Sequence, residues 1–462
     1  MRRSAHERFV FRNLQDLQNK ITALGLDLDL DGDFSAFAAP VKVGSRKTPN
    51  AIAILPMEGC DSNPDGSPSE LVERRYLRYG AGGAGLLWWE ACSVVPEGRA
   101  NELQMMMTQD NAGLFASLLQ KVKNKAAEAN GEAHKPVHIL QLTHSGRYSR
   151  PYGHKPQPLY AQRDPILDRG SGVDGSTDPV SDAYLDNLIG EYAKSAILAR
   201  NAGFDGVDIK ACHRYLISEL LASHVRSGSY GGSFENRTRF LRDVISAVRA
   251  ATGEDFIIAC RFNVFDAHPY PYGFGCAPGG DIWAFDPEEP VKLVKMLRGL
   301  GVGLMSNSAG NPYYIYPQVT RPFDKSSMGI PIPDEHPLTS IARLFSFTEL
   351  IAGAAKGIPV VGNGYSWLRE YAPYAGAANL KKKTCSFIGF GRLSFAYPEA
   401  ARDIIVDGCL DKEKCCVACS KCTQIMRDHG RTGCVMRDQQ VYLPLYRSYR
   451  AQASRREKAA VG

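Results

Sequence analysis

Residues 184–221 read YLDNLIGEYAKSAILARNAGFDGVDIKACHRYLISELL. The first part carries apolar residues at helical spacing, and FDGVDIK (204–210) is a short apolar, β-branched run of the kind that forms a buried strand. The strand ends in Lys210 and passes through Cys212, His213 and Tyr215 into another helix. Seven further runs resemble it: AIAILPM (51–57), GLLWWEACSVV (85–95), VHILQLTH (137–144), FIIACRFNV (256–264), VGLMSNS (302–308), IPVVGNG (358–364) and CSFIGFGR (385–392). Helical patterns such as LFASLLQKVKNKAAEA, NRTRFLRDVISAVRAATG and PEEPVKLVKMLRGLG lie between most of them. Strand and helix therefore alternate as a parallel sheet requires, and eight repeats over roughly 350 residues predict an α/β fold, a (β/α)8 TIM barrel. A doubly wound sheet rarely needs eight parallel strands in unbroken order. Several runs end in polar residues or glycine (PMEG, QLTHSGR, DIKACH, CRFN, SNSAG, GNG, GFGR), and in a barrel these endings form one surface, the active-site face.

Composition sets the class. With 44% hydrophobic and 23% charged residues the chain is ordinary for a globular protein, and no apolar run approaches the roughly eighteen residues of a membrane span. The start, MRRSAHERFVFRNLQ, is basic without the apolar core of a secretion signal, which makes the cytoplasm the expected compartment. A net charge of +6 is mild, and much of the excess sits in the tail RSYRAQASRREKAAVG, which reads as a solvated end and not as a nucleic-acid patch. Gly80-Ala81-Gly82-Gly83-Ala84-Gly85 matches a dinucleotide fingerprint, but it follows a helical pattern and enters a strand. That order is the reverse of the one that aims amides at a pyrophosphate, so it reads as a helix-ending turn.

Two further motifs carry chemistry. Cys416, Cys419 and Cys422 are spaced by two residues each and followed by Cys434, four thiolates within one segment. Such a set suits a [4Fe–4S] cluster better than zinc, whose sites more often pair two Cys-x-x-Cys knuckles. GNG (362–364) and GFGR (389–392) end the seventh and eighth strands, where barrels bind phosphate through loop amides, and Arg392 can pair with such an anion.

The chain resembles the old yellow enzyme family of flavin oxidoreductases, particularly its iron–sulfur branch with 2,4-dienoyl-CoA reductase and trimethylamine dehydrogenase. The resemblance spans about residues 38–436 and rests on FAAPVKVGSRKTPNAIAILPM, QLTHSGR, GFDGVDIKACHRYL, YGGSFENRTRFLRDVISAVR, GFGRLSFAYPE and CVACSKC. It implies FMN across the barrel mouth. Pro56, Met57 and Ala91 would touch the isoalloxazine, Gln141 would bond its pyrimidine edge, and Arg261 would balance charge at N1/C2=O. Gly364, Gly391 and Arg392 would hold the phosphate. His213 and Tyr215 match the family's second carbonyl donor and its proton-donating tyrosine, whereas Lys210 stands where relatives usually carry histidine or another residue such as tyrosine. A lysine there can still donate, and it adds a fixed charge favouring an enolate-like transition state or an anionic substrate.

The resulting expectation is an ene-reductase-like enzyme that reduces an activated C=C bond by hydride from FMN. Lys210 and His213 would polarise the activating group and Tyr215 would protonate the α-carbon. Amine or C–C dehydrogenation is the same machinery reversed. A Schiff-base aldolase using Lys210 and a non-catalytic electron-transfer module are the remaining alternatives. The implied division is an N-terminal helical extension (1–37), an FMN-binding barrel (38–405), and a [4Fe–4S]-binding segment with a basic tail (406–462). The extension is expected to pack on the barrel or to make a homo-oligomer contact. The larger relatives continue into nucleotide-binding domains and this chain stops 28 residues after Cys434. Electrons are therefore expected from a ferredoxin or flavoprotein reductase through the cluster, or from NAD(P)H directly. His144 reads as a structural hydrogen-bonding group and Cys212 as a small buried residue.

Overall fold

The computed structural model describes residues 5–313, 319–325 and 332–459. Its strands are β1 (Ile52–Ile54), β2 (Leu86–Ser93), β3 (Val137–Thr143), β4 (Gly206–Ile209), β5 (Ile257–Phe265), β6 (Leu304–Ala309), β7 (Val360–Gly362) and β8 (Phe387–Phe390). All pair in parallel, each with its sequence neighbour, and β8 closes onto β1 through Ile388 opposite Ile52. Every apolar run quoted above coincides with one of these strands, two of which end one residue beyond their run, so the expected (β/α)8 barrel is the observed fold.

Helices cover the outside in the same order: Glu70–Ala81, Ala112–Asn130, Asp182–Asn201, Arg239–Thr252, Glu288–Gly299, Pro337–Ala355 and Ala372–Lys382, then the short pair Arg392–Ala396 and Ala400–Val406. Local chemistry explains their limits. Ser181 accepts the amide of Tyr184 to start Asp182–Asn201. Phe240, Leu241, Val244, Ile245 and Val248 form the buried stripe that packs Arg239–Thr252 against it. Pro337–Ala355 has the length and apolar composition of a membrane span, but it is the barrel helix between β6 and β7, with Leu338, Ile341, Leu344 and Ile351 buried. Gly80–Gly85 ends its helix as a turn: Gly83 has φ +84°, and a Cβ on Gly85 would lie 2.5 Å from the Asn50 carbonyl.

Strand alternation builds the site from below. Ala53, Leu86, Trp88, Ile139, Ala259, Leu304, Val361 and Phe387 form an apolar cluster separate from the larger core beneath the helices. Val43, from the hairpin Lys42–Val43 and Arg46–Lys47, joins this cluster. Two residues further along the same faces, Gln141 follows Ile139, Arg261 follows Ala259, Ser306 follows Leu304 and Asn363 follows Val361. The barrel is thus apolar near its amino ends and polar at its carboxyl ends.

Two added segments brace it. Helix Leu14–Ala23 buries Leu17 and Ile21, and Phe9 and Phe11 set their rings against Trp367 at 5.3 and 6.2 Å. At the other terminus, Asp438 takes both terminal nitrogens of Arg74 (2.7 and 3.0 Å) and one of Arg78 (2.9 Å), while the Thr432 amide donates to the Gly59 carbonyl at 2.6 Å. The cysteine segment is thereby held beside the β1 loop.

Candidate active site

Beyond β4 the backbone is left-handed at two consecutive non-glycine residues, His213 (φ 65°) and Arg214 (φ 59°). Each such residue costs on the order of 1 kcal/mol, so the surroundings must fix the turn. Arg214 does so from a buried position between Asp266 (3.1 Å) and Asp164 (3.3 Å), and the His213 amide donates to Asn263 Oδ1 at 3.2 Å. The turn brings Lys210, His213 and Tyr215 to one cavity.

Lys210 Nζ lies 3.2 Å from Glu58 Oε1 and 3.8 Å over the Tyr215 ring. Tyr215 Oη donates to Glu58 Oε1 at 3.4 Å and shares a 2.7 Å hydrogen bond with Tyr313 Oη, whose ring stacks on Tyr148. Burial, with the Glu58 charge beside it, pushes the Tyr215 phenol well above its ordinary value, so it holds its proton at neutral pH. His213 Nε2 sits 2.9 Å from Ser308 Oγ. Burial and the cations Arg261, Lys210 and Arg321 hold that imidazole well below its ordinary value, so His213 is neutral.

The cavity, about 180 Å³ at the carboxyl ends of the strands, is lined by Pro56, Met57, Gln141, Lys210, His213, Tyr215, Arg261, Gly364, Gly391 and Arg392. Ala91 alone among the expected catalytic and flavin-contacting residues is not on the wall; it is fully buried on β2, opposite Gln141. Beneath the wall Asp208 accepts from Gln141 Nε2 (2.6 Å), Trp88 Nε1 (3.0 Å) and the Arg261 amide (2.8 Å). Burial pushes its carboxyl up to about 6.

The donor set suits an anionic cofactor. Among the described residues Arg261 Nε and Arg392 Nη1 are buried without a hydrogen-bond partner, an expensive condition that a bound anion would relieve. Gly364 has φ +101°, and a Cβ on Gly391 would stand 3.3 Å from Met57 Sδ, so both glycines keep backbone at the wall. FMN, with its phosphate and its electron-accepting ring, fits these residues.

Sequence reading missed Glu58, Ser308, Tyr313, Arg321 and Arg427, all on the same wall. Glu58 stood in the quoted PMEG, and Ser308 in SNSAG; the other three come from aperiodic loops or the cysteine segment. Arg321 donates to Thr423 Oγ1 at 3.1 Å, and burial with Arg392 and Arg427 nearby lowers its guanidinium to about 9.

Cys422 lines the cavity, whereas Cys416, Cys419 and Cys434 do not. Left-handed Ala418 (φ 47°) and Ser420 (φ 62°) fold the Cys-x-x-Cys-x-x-Cys loop, and Cys416 Sγ accepts the Ala418 amide at 3.4 Å. Burial pushes the Cys416 thiol up to about 11 and the Cys434 thiol to about 12, with Cys422 a charge neighbour of both. Among the described residues no three His, Cys, Asp or Glu are drawn together into a metal-binding group. His144 and Cys212 follow expectation: His144 Nε2 meets Tyr184 Oη at 2.8 Å, and Cys212 is fully buried.

Residues 36–270 match the sequence profile of the NADH:flavin oxidoreductase / NADH oxidase family. An NADH oxidase of Thermoanaerobacter brockii is 28% identical over 58% of this chain and 38% of its own length. An NADPH dehydrogenase of Bacillus subtilis is 30% identical over 46% of this chain and 59% of its own. The chain therefore spans well under two thirds of these relatives. Among solved structures, a 2-naphthoyl-CoA reductase complexed with 2-naphthoyl-CoA superposes with a TM-score of 0.68 at 18% identity, over 87% of this chain and 57% of that one. A histamine dehydrogenase from Rhizobium sp. 4-9 gives 0.63 at 19%, over 87% and 52%. At these identities the likeness is one of fold.

Proposed function

The chain belongs to the NADH:flavin oxidoreductase / NADH oxidase family, and from that membership we propose that it binds FMN at the barrel mouth and reduces an activated C=C bond. The observation that carries this reading is the meeting of Lys210, neutral His213 and protonated Tyr215 on one cavity wall with Arg261 and Arg392. Bound FMN supplies a two-electron hydride donor and acceptor. Gln141 orients its pyrimidine edge, and Arg261 balances negative charge there. Arg392 holds the phosphate beside Gly364 and Gly391, with Arg321 as a further cation, and Met57 and Pro56 pack on the ring. Ala91 acts from behind the wall, supporting Gln141 across β2 and β3.

Lys210 and His213 donate to the carbonyl or carboxylate that activates the alkene, and they stabilise negative charge there as the double bond is reduced. Tyr215 delivers its proton to the α-carbon, and Tyr313, 2.7 Å away, is the group through which the phenol is reprotonated. Charge separates this reading from amine dehydrogenation. Among the described residues the wall carries Lys210, Arg261, Arg321, Arg392 and Arg427 against the single carboxylate Glu58, a balance that repels an ammonium substrate and attracts an anion. The Glu58 pairing of Lys210 also opposes a Schiff base, which needs a free neutral amine.

A [4Fe–4S] cluster on Cys416, Cys419, Cys422 and Cys434 is part of this proposal. It is supported by four soft donors in one segment and by Cys422 reaching the cavity wall. Such a cluster supplies single electrons from a ferredoxin or flavoprotein reductase, while NAD(P)H acting at the flavin is the route the relatives' names suggest. Iron and sulfide analysis of anaerobically purified protein should give about four irons per chain; one zinc and no sulfide would remove the cluster.

The direct test of the function is Tyr215→Phe under stopped flow. Alkene reduction is expected to slow by about a hundredfold or more, with flavin reduction unchanged. Equal loss in both half-reactions would refute the proton-donor role.

A further inference from the structure

A second cavity, of about 280 Å³, adjoins the first, and Glu58, Tyr313, Met426 and Arg427 line both. Its outer side brings Arg150, Ile166 and Leu167 to the same space. Neither guanidinium has a carboxylate partner among the described residues. Arg150 Nη1 meets His429 Nε2 at 3.2 Å, and Arg427 Nη2 donates to the Pro312 carbonyl. The only carboxylate on this wall among the described residues, Glu58, is already engaged by Lys210 and Tyr215. His429 adds no charge at neutral pH, because burial, His154, Arg150 and Arg456 lower it to about 4. The cavity therefore holds two uncompensated, half-buried cations and an apolar wall, within reach of the catalytic tyrosine through Tyr313.

We propose that this second cavity binds the far end of the substrate, which is a chain bearing an oxyanion, carboxylate or phosphate, at the end opposite its activated alkene. Arg150 and Arg427 hold the oxyanion, and Ile166, Leu167 and Met426 cover the carbons between. A guanidinium half-removed from water without a counter-charge is costly, and an oxyanion accepting charge-assisted bonds from two of them offsets that cost. The proposal rests on the ene-reductase reading and adds what that site selects.

Titration calorimetry on the FMN-loaded protein tests it with saturated chains that cannot react. The probes are butanedioate, hexanedioate, octanedioate and decanedioate, their half-amides, and the phosphate esters of ω-hydroxy acids of the same chain lengths. At the matching length an oxyanion-ended chain should bind about tenfold tighter than its half-amide. Arg150→Gln should erase that preference and Arg150→Lys should keep part of it, with flavin absorbance reporting an intact fold in both. Preference for the phosphate or the carboxylate end then names the source of the oxyanion. Equal binding of acid and half-amide at every length, or a preference that survives Arg150→Gln, would overturn the proposal. Because these are binding measurements, they hold whether or not the enzyme reduces cyclohexenone, the small enone that checks the ene-reductase reading by itself.

Discussion

Glu58 decides how positive the site is. Its carboxylate touches both Lys210 and Tyr215, and among the described residues no other acid stands on a wall with five cations. Glu58→Gln keeps the shape and removes the charge, so the reduced flavin, the more negative form, should be favoured. A rise in midpoint potential of about 30 mV, or about 1.4 kcal/mol for a two-electron couple, is expected by spectroelectrochemistry. No shift would mean that Lys210 already cancels the carboxylate. At this scale the sequence was readable where a residue ends a strand: Lys210, His213, Tyr215, Gln141, Arg261 and Arg392 all reach the cavity they were expected to reach. Arg321 and Tyr313 come from loops and Arg427 from the short helix Lys421–Arg427 of the cysteine segment, and their place depends on long-range packing that no local pattern encodes. The register shift between Trp89 and Ala91 sets Ala91 opposite Gln141, but its side chain is a single methyl and stays short of the wall that Gln141 reaches.

Elements were legible because each barrel strand is a short apolar run flanked by helical spacing, and the alternation itself specifies the topology. How the terminal helix Gln439–Ala459 attaches was not, since beside the Arg450–Asp428 ion pair and the packing of Tyr442 on Ile425 and Val435 it is docked by glycines that accept rings. A Cβ on Gly433 would lie 2.1 Å from Tyr442 Cζ, and one on Gly430 would lie 2.3 Å from Tyr449 Cδ2. Gly433→Ala must therefore push the helix outward, at a cost of about 1–3 kcal/mol. Limited proteolysis should cleave the chain near residue 439 faster than in the parent protein. Gly190→Ala is the control: it lies inside Asp182–Asn201 with no atom within 4 Å of an added Cβ, and should stabilise by about 0.5–1 kcal/mol. If both variants behaved alike, ring-on-glycine docking would not be what holds the terminal helix.

Across the whole molecule, buried titratable groups set the response to acid. His138 and His144 are both lowered to about 3 by burial, and in each Nδ1 accepts a hydrogen bond, from Trp89 Nε1 at 3.2 Å and from the Gly146 amide at 3.0 Å. Protonation would break those bonds, so below the ordinary histidine range the unfolded chain takes up protons that the fold refuses. Each group then removes about 1.4 kcal/mol of stability per pH unit as pH falls from about 6.5 toward 3. Asp208 acts in the opposite sense. Its folded value, about 6, lies above that of an unfolded aspartate, so between pH 6 and 4 the fold binds the extra proton and gains as pH drops. His213, His224 and His429 are lowered as well and act with His138 and His144, so stability declines as pH falls through that window while Asp208 offsets about 1.4 kcal/mol per pH unit of the decline. Asp208→Asn removes that offset, so its decline should be steeper than the parent's by about 1.4 kcal/mol per pH unit. Urea midpoints at pH 6, 5 and 4 for the two proteins give both slopes. Equal slopes would show that Asp208 stays ionised throughout, held by Gln141, Trp88 and the Arg261 amide, and that the polar floor beneath the flavin site carries a permanent negative charge.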